Sequence, residues 1–241
     1  MRTTSRATAL VALLLASHAS SAAVTLQGTR IVHDAGKGRD ITVKASNGGD
    51  QPAMVQVWID AGDSQARPEN VRTPFRLTPA DPRLLQAHQG QAYRITYAPR
   101  PSEAALPTDR ESVFYFNLLD IPPKPSDATG KNLLQFAFAV RTRVKLFHRP
   151  AGLPGNARDA ATQLQWRAHD GALQVSNPTA YHVTLSTLTL PDGRKVDADM
   201  IAPGAQVRLP LPSGASTPAQ IGFQWLDDYG TPRDAQANVE H

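Results

Sequence analysis

Leu134, Phe136, Phe138 and Val140 put an apolar side chain at every second position, and a basic run from Arg141 to Lys145 follows at once. A repeat of two is that of a β-strand, so these four residues share one face of a strand within residues 132–150. The chemistry open to such a stretch is non-covalent. It is either an ordinary core strand of a sandwich or an edge strand whose backbone groups and apolar face are held ready for a partner chain. Covalent chemistry finds little support. The chain has no cysteine, which excludes thiol nucleophiles and thiolate metal sites. Its seven histidines, His18, His33, His88, His148, His169, His182 and His241, form no HExxH and no close pair at metal-ligand spacing. No GxSxG elbow or glycine-rich phosphate loop occurs. Glu111 and Asp120 are a nominal acid pair for glycoside hydrolysis, but carboxylates of this kind are usually solvated or ion-paired. Trp58, Tyr115 and Trp225 suit core or rim positions better than a sugar platform. The sequence is therefore not read as an enzyme, and it calls for no metal or other cofactor.

The elements that must hold the key stretch are β-strands. Arg2 and Arg6, an apolar run from Ala7 to Ala16, and the small residues Ser20 to Ala23 read as a secretory signal peptide, residues 1–22, cut after Ala22. Its loss leaves 219 of the 241 residues; two arginines and no acid go with it, so the net charge falls from +4 to +2. So small an excess argues against a nucleic-acid partner. An exported chain without cysteine must stand without disulfides. No apolar stretch after the signal is long enough to span a bilayer.

From Val24 onward short β-branched runs alternate with turn residues, which predicts an all-β chain. Strands are expected at Val24 to Val32, Ile41 to Ala45, Met54 to Ile59, Phe75 to Leu77, Tyr93 to Tyr97, Ser112 to Leu118 and Leu133 to Phe147, enough for one immunoglobulin-like sandwich over residues 23–150. Prolines mark most of the connections, and residues 127–131 form a short polar loop before the key strand. Residues 151–155, AGLPG, read as a linker. A second, smaller sandwich follows over 156–236, with strands at Leu164 to Ala168, Ala172 to Ser176, Tyr181 to Leu190, Lys195 to Ala198, Val207 to Leu211 and Ile221 to Trp225. Asp170-Gly171 is a tight-turn signal in it, and the last residues of the polar tail from Thr231 to His241 are expected to fray.

Residues 109–123, DRESVFYFNLLDIPP, resemble the signature of the periplasmic pilus-assembly chaperones, the PapD-like family. Further matches fall in the same order: Thr29-Arg30, VQVWID at 55–60, PFRLTP at 74–79, VKLFHRP at 144–150, NPTAYHVTL at 177–185, Pro203-Gly204 and DDYG at 227–230. The resemblance implies two immunoglobulin-like domains at an angle with a cleft between them. It also implies a periplasmic chaperone that lends a strand to pilus subunits lacking one, then delivers them to an outer-membrane usher. Leu134, Phe136, Phe138 and Val140 would be the lent side chains. Buried fully, they contribute about 1.5–3 kcal/mol each, roughly 6–12 kcal/mol together, against association costs of similar order. By the same resemblance Arg30 and Lys145 anchor the subunit's C-terminal carboxylate, for which a guanidinium fork and an ammonium are well suited. Glu111, Arg149 and Asp228, with Asp227 as the substitute for Asp228, would form an interdomain ion cluster.

Lys145 has the opposite parity to Leu134 through Val140, so a bulge, a strong twist or a change of sheet is expected between Arg141 and Val144. The sequence departs from the family in the bulk of Phe136 and Phe138, in His148 where a tyrosine is usual, and in Pro79-Ala80 where a Pro-Pro pair is frequent. The short loop before the strand resembles the branch that serves rod-like adhesive pili. An exposed apolar edge favours self-association of the free form. The competing reading is a secreted two-domain adhesin or structural pilus component.

Overall fold

The protein is described here by a computed structural model covering residues 23–123, 138–215 and 217–241. The expected signal segment, the expected loop at 127–131, Leu134 and Phe136 lie outside those residues.

The first domain is built from β1 (Val24–Leu26), β2 (Arg30–Asp34), β3 (Asp40–Asn47), β4 (Ala53–Asp60), β5 (Phe75–Thr78), β6 (Arg83–Leu85), β7 (Gly90–Tyr97), β8 (Ser112–Ile121) and β9 (Val140–Arg149). One sheet runs β1-β3-β7-β5 and the other β2-β9-β8-β4-β6. Alternate residues of each sheet turn inward, Val43, Ala45, Tyr93 and Ile95 from one and Val55, Val57, Phe114, Phe116, Leu118, Val144 and Leu146 from the other. This is the alternation expected of two aligned sheets packed face to face.

Three expectations need correction. The stretch from Val24 to Val32 is two strands in different sheets, because the chain bends at Gly28 (φ +95°) and crosses between them. Apolar alternation shows a strand but not the sheet it joins. Among the described residues β9 begins at Val140, so Phe138 and Ala139 precede it rather than belong to it. The parity change is not absorbed by any bulge. The β8–β9 register runs unbroken from Asp120↔Val140 to Ser112↔His148. Val140, Val144 and Leu146 therefore share the inner side, while Arg141, Arg143, Lys145 and Arg149 share the outer one.

The second domain comprises β10 (Gln165–His169), β11 (Ala172–Ser176), β12 (Val183–Thr189), β13 (Lys195–Asp197), β14 (Met200–Ile201), β15 (Gln206–Pro210), β16 (Gln220–Leu226) and β17 (Pro232–Asn238). Its sheets are β10-β11-β15 and β13-β12-β16-β17, with β14 also on β12. Asp170 and Gly171 both have positive φ, 47° and 68°, the backbone of a two-residue hairpin turn that joins β10 to β11. Leu185 and Leu188 are both fully inside, although an odd spacing should put them on opposite faces. A register shift between Leu185 and Thr187 resets the parity.

The tail is also a correction. β17 pairs with β16 over seven residues, Val239 is buried, and Glu240 exchanges backbone hydrogen bonds with Trp166 and Ala168. The inward side chains here are Ala235, Ala237 and Val239, too small to stand out in a hydropathy pattern.

His33 and His148 lie side by side on β2 and β9, both buried, with Nδ1 atoms 3.0 Å apart. His33 Nε2 lies 2.9 Å from the Arg39 carbonyl, which can only accept, so it carries the proton. His33 Nδ1 then accepts from His148 Nδ1–H. The His148 ring stacks on Tyr97 at 4.3 Å and meets Phe75 edge-on. Burial, reinforced by His33, lowers the His148 pKa from 6.5 to about 4. The unfolded chain therefore binds this proton more readily than the folded one. Its stabilising contribution is complete above about pH 6.5 and is lost as the pH falls through 6.5 to 4. Roughly 3 kcal/mol is at stake. Urea titrations across that window should show the loss, and a His148→Phe chain should show a shallower pH slope whatever its absolute stability.

Candidate functional site

β2 and β9 are parallel neighbours, and their register sets Arg30 beside Lys145. The row continues across the sheet through Tyr115 to Asp60. Both cations stand on the outer face, which the second domain overhangs. Arg30 Nη1 donates to the Leu226 carbonyl at 3.0 Å, and its guanidinium lies 5.8 Å from the centre of the Phe147 ring. Its Nε is buried without a hydrogen-bond partner. Burial lowers the Arg30 pKa, only partly offset by Asp228, Asp227 and Glu111. Lys145 Nζ meets Asp199 Oδ1 at 3.3 Å; the lysine side chain is 23% exposed and the aspartate 92%. The Met200 N–H, 2.6 Å away, and then Lys145 hold the Asp199 carboxyl below its usual range against some desolvation. The result is a partly desolvated pair of cations with the buried Arg30 Nε–H unspent.

The second group of charges joins the domains. Arg149 Nε donates to Glu111 Oε1 at 2.7 Å, while Nη1 and Nη2 grip Asp228 at 2.8 and 2.9 Å. The other Glu111 oxygen accepts from the His182 backbone at 2.8 Å, and the Glu111 N–H donates to the Ala180 carbonyl. Burial works against the Arg149 charge, but the Asp228 hydrogen bonds and the charge of Glu111 outweigh it and hold the pKa above the ordinary value. Asp228 is the partner, not Asp227. The latter accepts from the N–H groups of Tyr229 and Thr231 and from Arg233, shaping the β16–β17 turn instead. At the tip of that turn Gly230 has φ +80°, and a Cβ there would overlap Thr29 Oγ1. Only glycine lets the turn of the second domain close on the residue before Arg30.

A third network beside the site was not foreseen. Asp60, fully buried, takes both Nε and Nη2 of Arg143 at 3.0 and 2.7 Å and Asn117 Nδ2 at 2.8 Å. Arg141 donates twice to Asn117 Oδ1, and the two guanidiniums lie over Trp58 and Tyr115 at 4.7 and 3.5 Å. Burial tends to raise the Asp60 pKa, but Arg143, Asn117 and the Gly62 N–H bring it below the usual carboxylate range. The readable signal was cationic Arg141, Arg143 and Lys145 alternating along one strand opposite aromatic and acidic positions on the others.

Of the four side chains expected to be lent, Phe138 is 70% exposed and Val140 38% exposed. The Glu111–Asp120 acid pair does not exist. The two sit at opposite ends of β8, roughly 30 Å apart at strand rise. Among the described residues no three His, Cys, Asp or Glu side chains converge as a metal site would require.

Two immunoglobulin-like sandwiches with a cationic pair under their junction define a two-domain, all-β chain. Residues 23–154 match the family described as pili and flagellar-assembly chaperone, PapD N-terminal domain, and residues 159–237 the pili assembly chaperone PapD, C-terminal domain. The chain therefore belongs to the PapD-like family of pilus-assembly chaperones. It is 40% identical to the chaperone protein FimB/FhaD of Bordetella pertussis over 238 residues, covering 96% of this chain and 95% of the relative. To the probable fimbrial chaperone YadV of Escherichia coli it is 36% identical, covering 92% of each. The crystal structure of a YadV chaperone superposes with a TM-score of 0.74 at 31% identity, over 90% of this chain and 99% of that one. The SafB chaperone of Salmonella enterica, solved in complex with the SafA pilin, matches at a TM-score of 0.75 and 25% identity, over 89% and 95%. These likenesses favour the chaperone over the adhesin reading.

Proposed function

We propose that this chain acts in the periplasm, where it folds and caps pilus subunits by lending them the strand that contains Leu134, Phe136, Phe138 and Val140. It then passes them to an outer-membrane usher. Arg30 and Lys145 receive the subunit's C-terminal carboxylate. The observation that carries this reading is the register pairing of the two cations together with the unspent Arg30 Nε–H. A carboxylate accepts two or more such donors and gains most where water is thin. The inner-side parity of Val140 and the outer-side parity of Lys145 then serve a single ligand: its edge pairs with the strand while its terminus reaches the overhung face. The cluster of Glu111, Arg149 and Asp228 fixes the angle that keeps this face open.

The test is recovery of partners from the periplasm of piliated cells that export this chain, with bound proteins identified by mass spectrometry. Small subunit-like proteins in equal amount to the chain are expected. A chain that brings down no subunit from such cells would remove the reading.

Asp199 bears on affinity. Its carboxylate already meets Lys145, so an arriving carboxylate must displace it. Because Asp199 is exposed, the effect is small, on the order of a few-fold. Asp199→Asn should tighten subunit binding in a titration at low salt, and the gain should fade as salt is raised.

A further inference from the structure

Asp120 is the one carboxylate at the far end of β8 that faces the core of the first domain, and it is 4% exposed. Its Oδ2 accepts the Val24 N–H at 3.0 Å. Its Oδ1 is buried and has no hydrogen-bond partner. No ion pair reaches it among the described residues, whereas the buried acids Asp60 and Glu111 each hold an arginine. An uncompensated carboxylate in such a place is costly, and the missing partner should be a cation with hydrogens to donate.

One residue before Val24 stands Ala23, seated at the edge of β1. Its carbonyl accepts the Gly48 N–H at 2.7 Å, and a Cβ on Gly49 would come within 3.0 Å of its methyl. Its nitrogen is one backbone step from the N–H that already binds Asp120, about 3–4 Å along the chain. In the unprocessed chain that nitrogen is a peptide amide, neutral and with a single hydrogen. Hydrolysis of the Ala22–Ala23 bond by water turns it into a primary ammonium, which offers three hydrogens and a positive charge.

We infer that Asp120 is a receptor for the chain's own processed amino terminus: the Ala23 ammonium pairs with the unpartnered Asp120 Oδ1. Release of the signal segment thereby completes the first domain. This rests on cleavage after Ala22, part of the export reading proposed above. Val24 anchors the geometry through its own bond to the same carboxylate, and the Ala23 side chain is small enough to fit against Gly49. A longer amino end would carry its charge away from the acid.

The test compares the exported protein with a cytoplasmically made form bearing one extra residue before Ala23, each with Asp120 and with Asp120→Asn. Mass spectrometry first fixes the amino terminus of the exported chain. The expected result is a start at Ala23 and a thermal midpoint about 5 °C or more above that of the extended form. That gap should vanish in the Asp120→Asn pair, because asparagine keeps an acceptor for Val24 but has no charge for the ammonium. A start elsewhere overturns the cleavage reading and this inference with it. A start at Ala23 with equal midpoints, or a gap that persists in Asp120→Asn, overturns the inference alone. Should Asp120→Asn not fold, a crystal structure of the exported chain decides. Ala23 N within about 3.2 Å of Asp120 Oδ1 supports the pairing, and a nitrogen turned to solvent refutes it.

Discussion

Replacing Arg30 and Lys145 together by alanine should weaken subunit binding by at least ~1,000-fold while leaving the chain folded. Truncating one member of a desolvated charge pair typically costs 2–5 kcal/mol, and here both donors to one carboxylate are removed. Folding should be spared because neither side chain supports a core. Arg30 contributes one hydrogen bond to the Leu226 carbonyl, and the Lys145 partner, Asp199, is open to water. Calorimetric titration with a subunit carrying a free C-terminus, beside circular dichroism of both proteins, separates the two effects. Should the double variant still bind within tenfold of the wild type, strand lending alone would hold the subunit and the carboxylate anchor would be wrong.

The other large effect is expected at Arg149. Alanine there leaves Glu111, whose side chain is 2% exposed, without its cation, and frees Asp228 across the domain junction. Breaking a buried pair by removing one partner costs about 3–5 kcal/mol. Urea unfolding should show that loss, and small-angle scattering should show a wider spread of domain orientations. Asp227→Ala should behave differently, since Asp227 shapes its own turn and does not touch Arg149. A normal scattering profile for Arg149→Ala would mean that the remaining junction contacts, Arg30 to Leu226, Glu111 to Ala180 and His182, and Thr29 against Gly230, set the angle without it.

How much of this was legible in the sequence depended on the kind of signal. Strands bounded by turn chemistry were read to the residue: Ala172–Ser176 follows Asp170-Gly171, whose positive φ values a tight hairpin demands. The two-domain, all-β plan followed from spacing, and the family from contiguous motifs. What escaped was long-range or small. Ala235 and Ala237 fill a sheet face with methyl groups, so the strand they belong to passed for a polar tail. The crossing at Gly28 turned on which sheet each half of one apolar stretch would join. Arg30 and Lys145 were found through resemblance, yet Leu226 and Asp199 carry no motif, since a carbonyl and an exposed aspartate touch the cations only because of how two domains meet. Asp60 closes the VQVWID motif, and only the pairing of three strands brings Arg143, Asn117 and Arg141 around it.

The parallel pairing of β2 with β9 also orders events in time. Arg30 and Lys145 are 115 positions apart, and they become neighbours only when the last strand of the first domain docks against one of its earliest. A chain that emerges amino end first presents one cation long before the other, and closing so long a loop is among the slower steps of folding. A half-made molecule therefore lacks the paired cations that the proposed carboxylate anchor needs. On the proposed reading, the protein becomes able to hold a client only once its own first domain is finished.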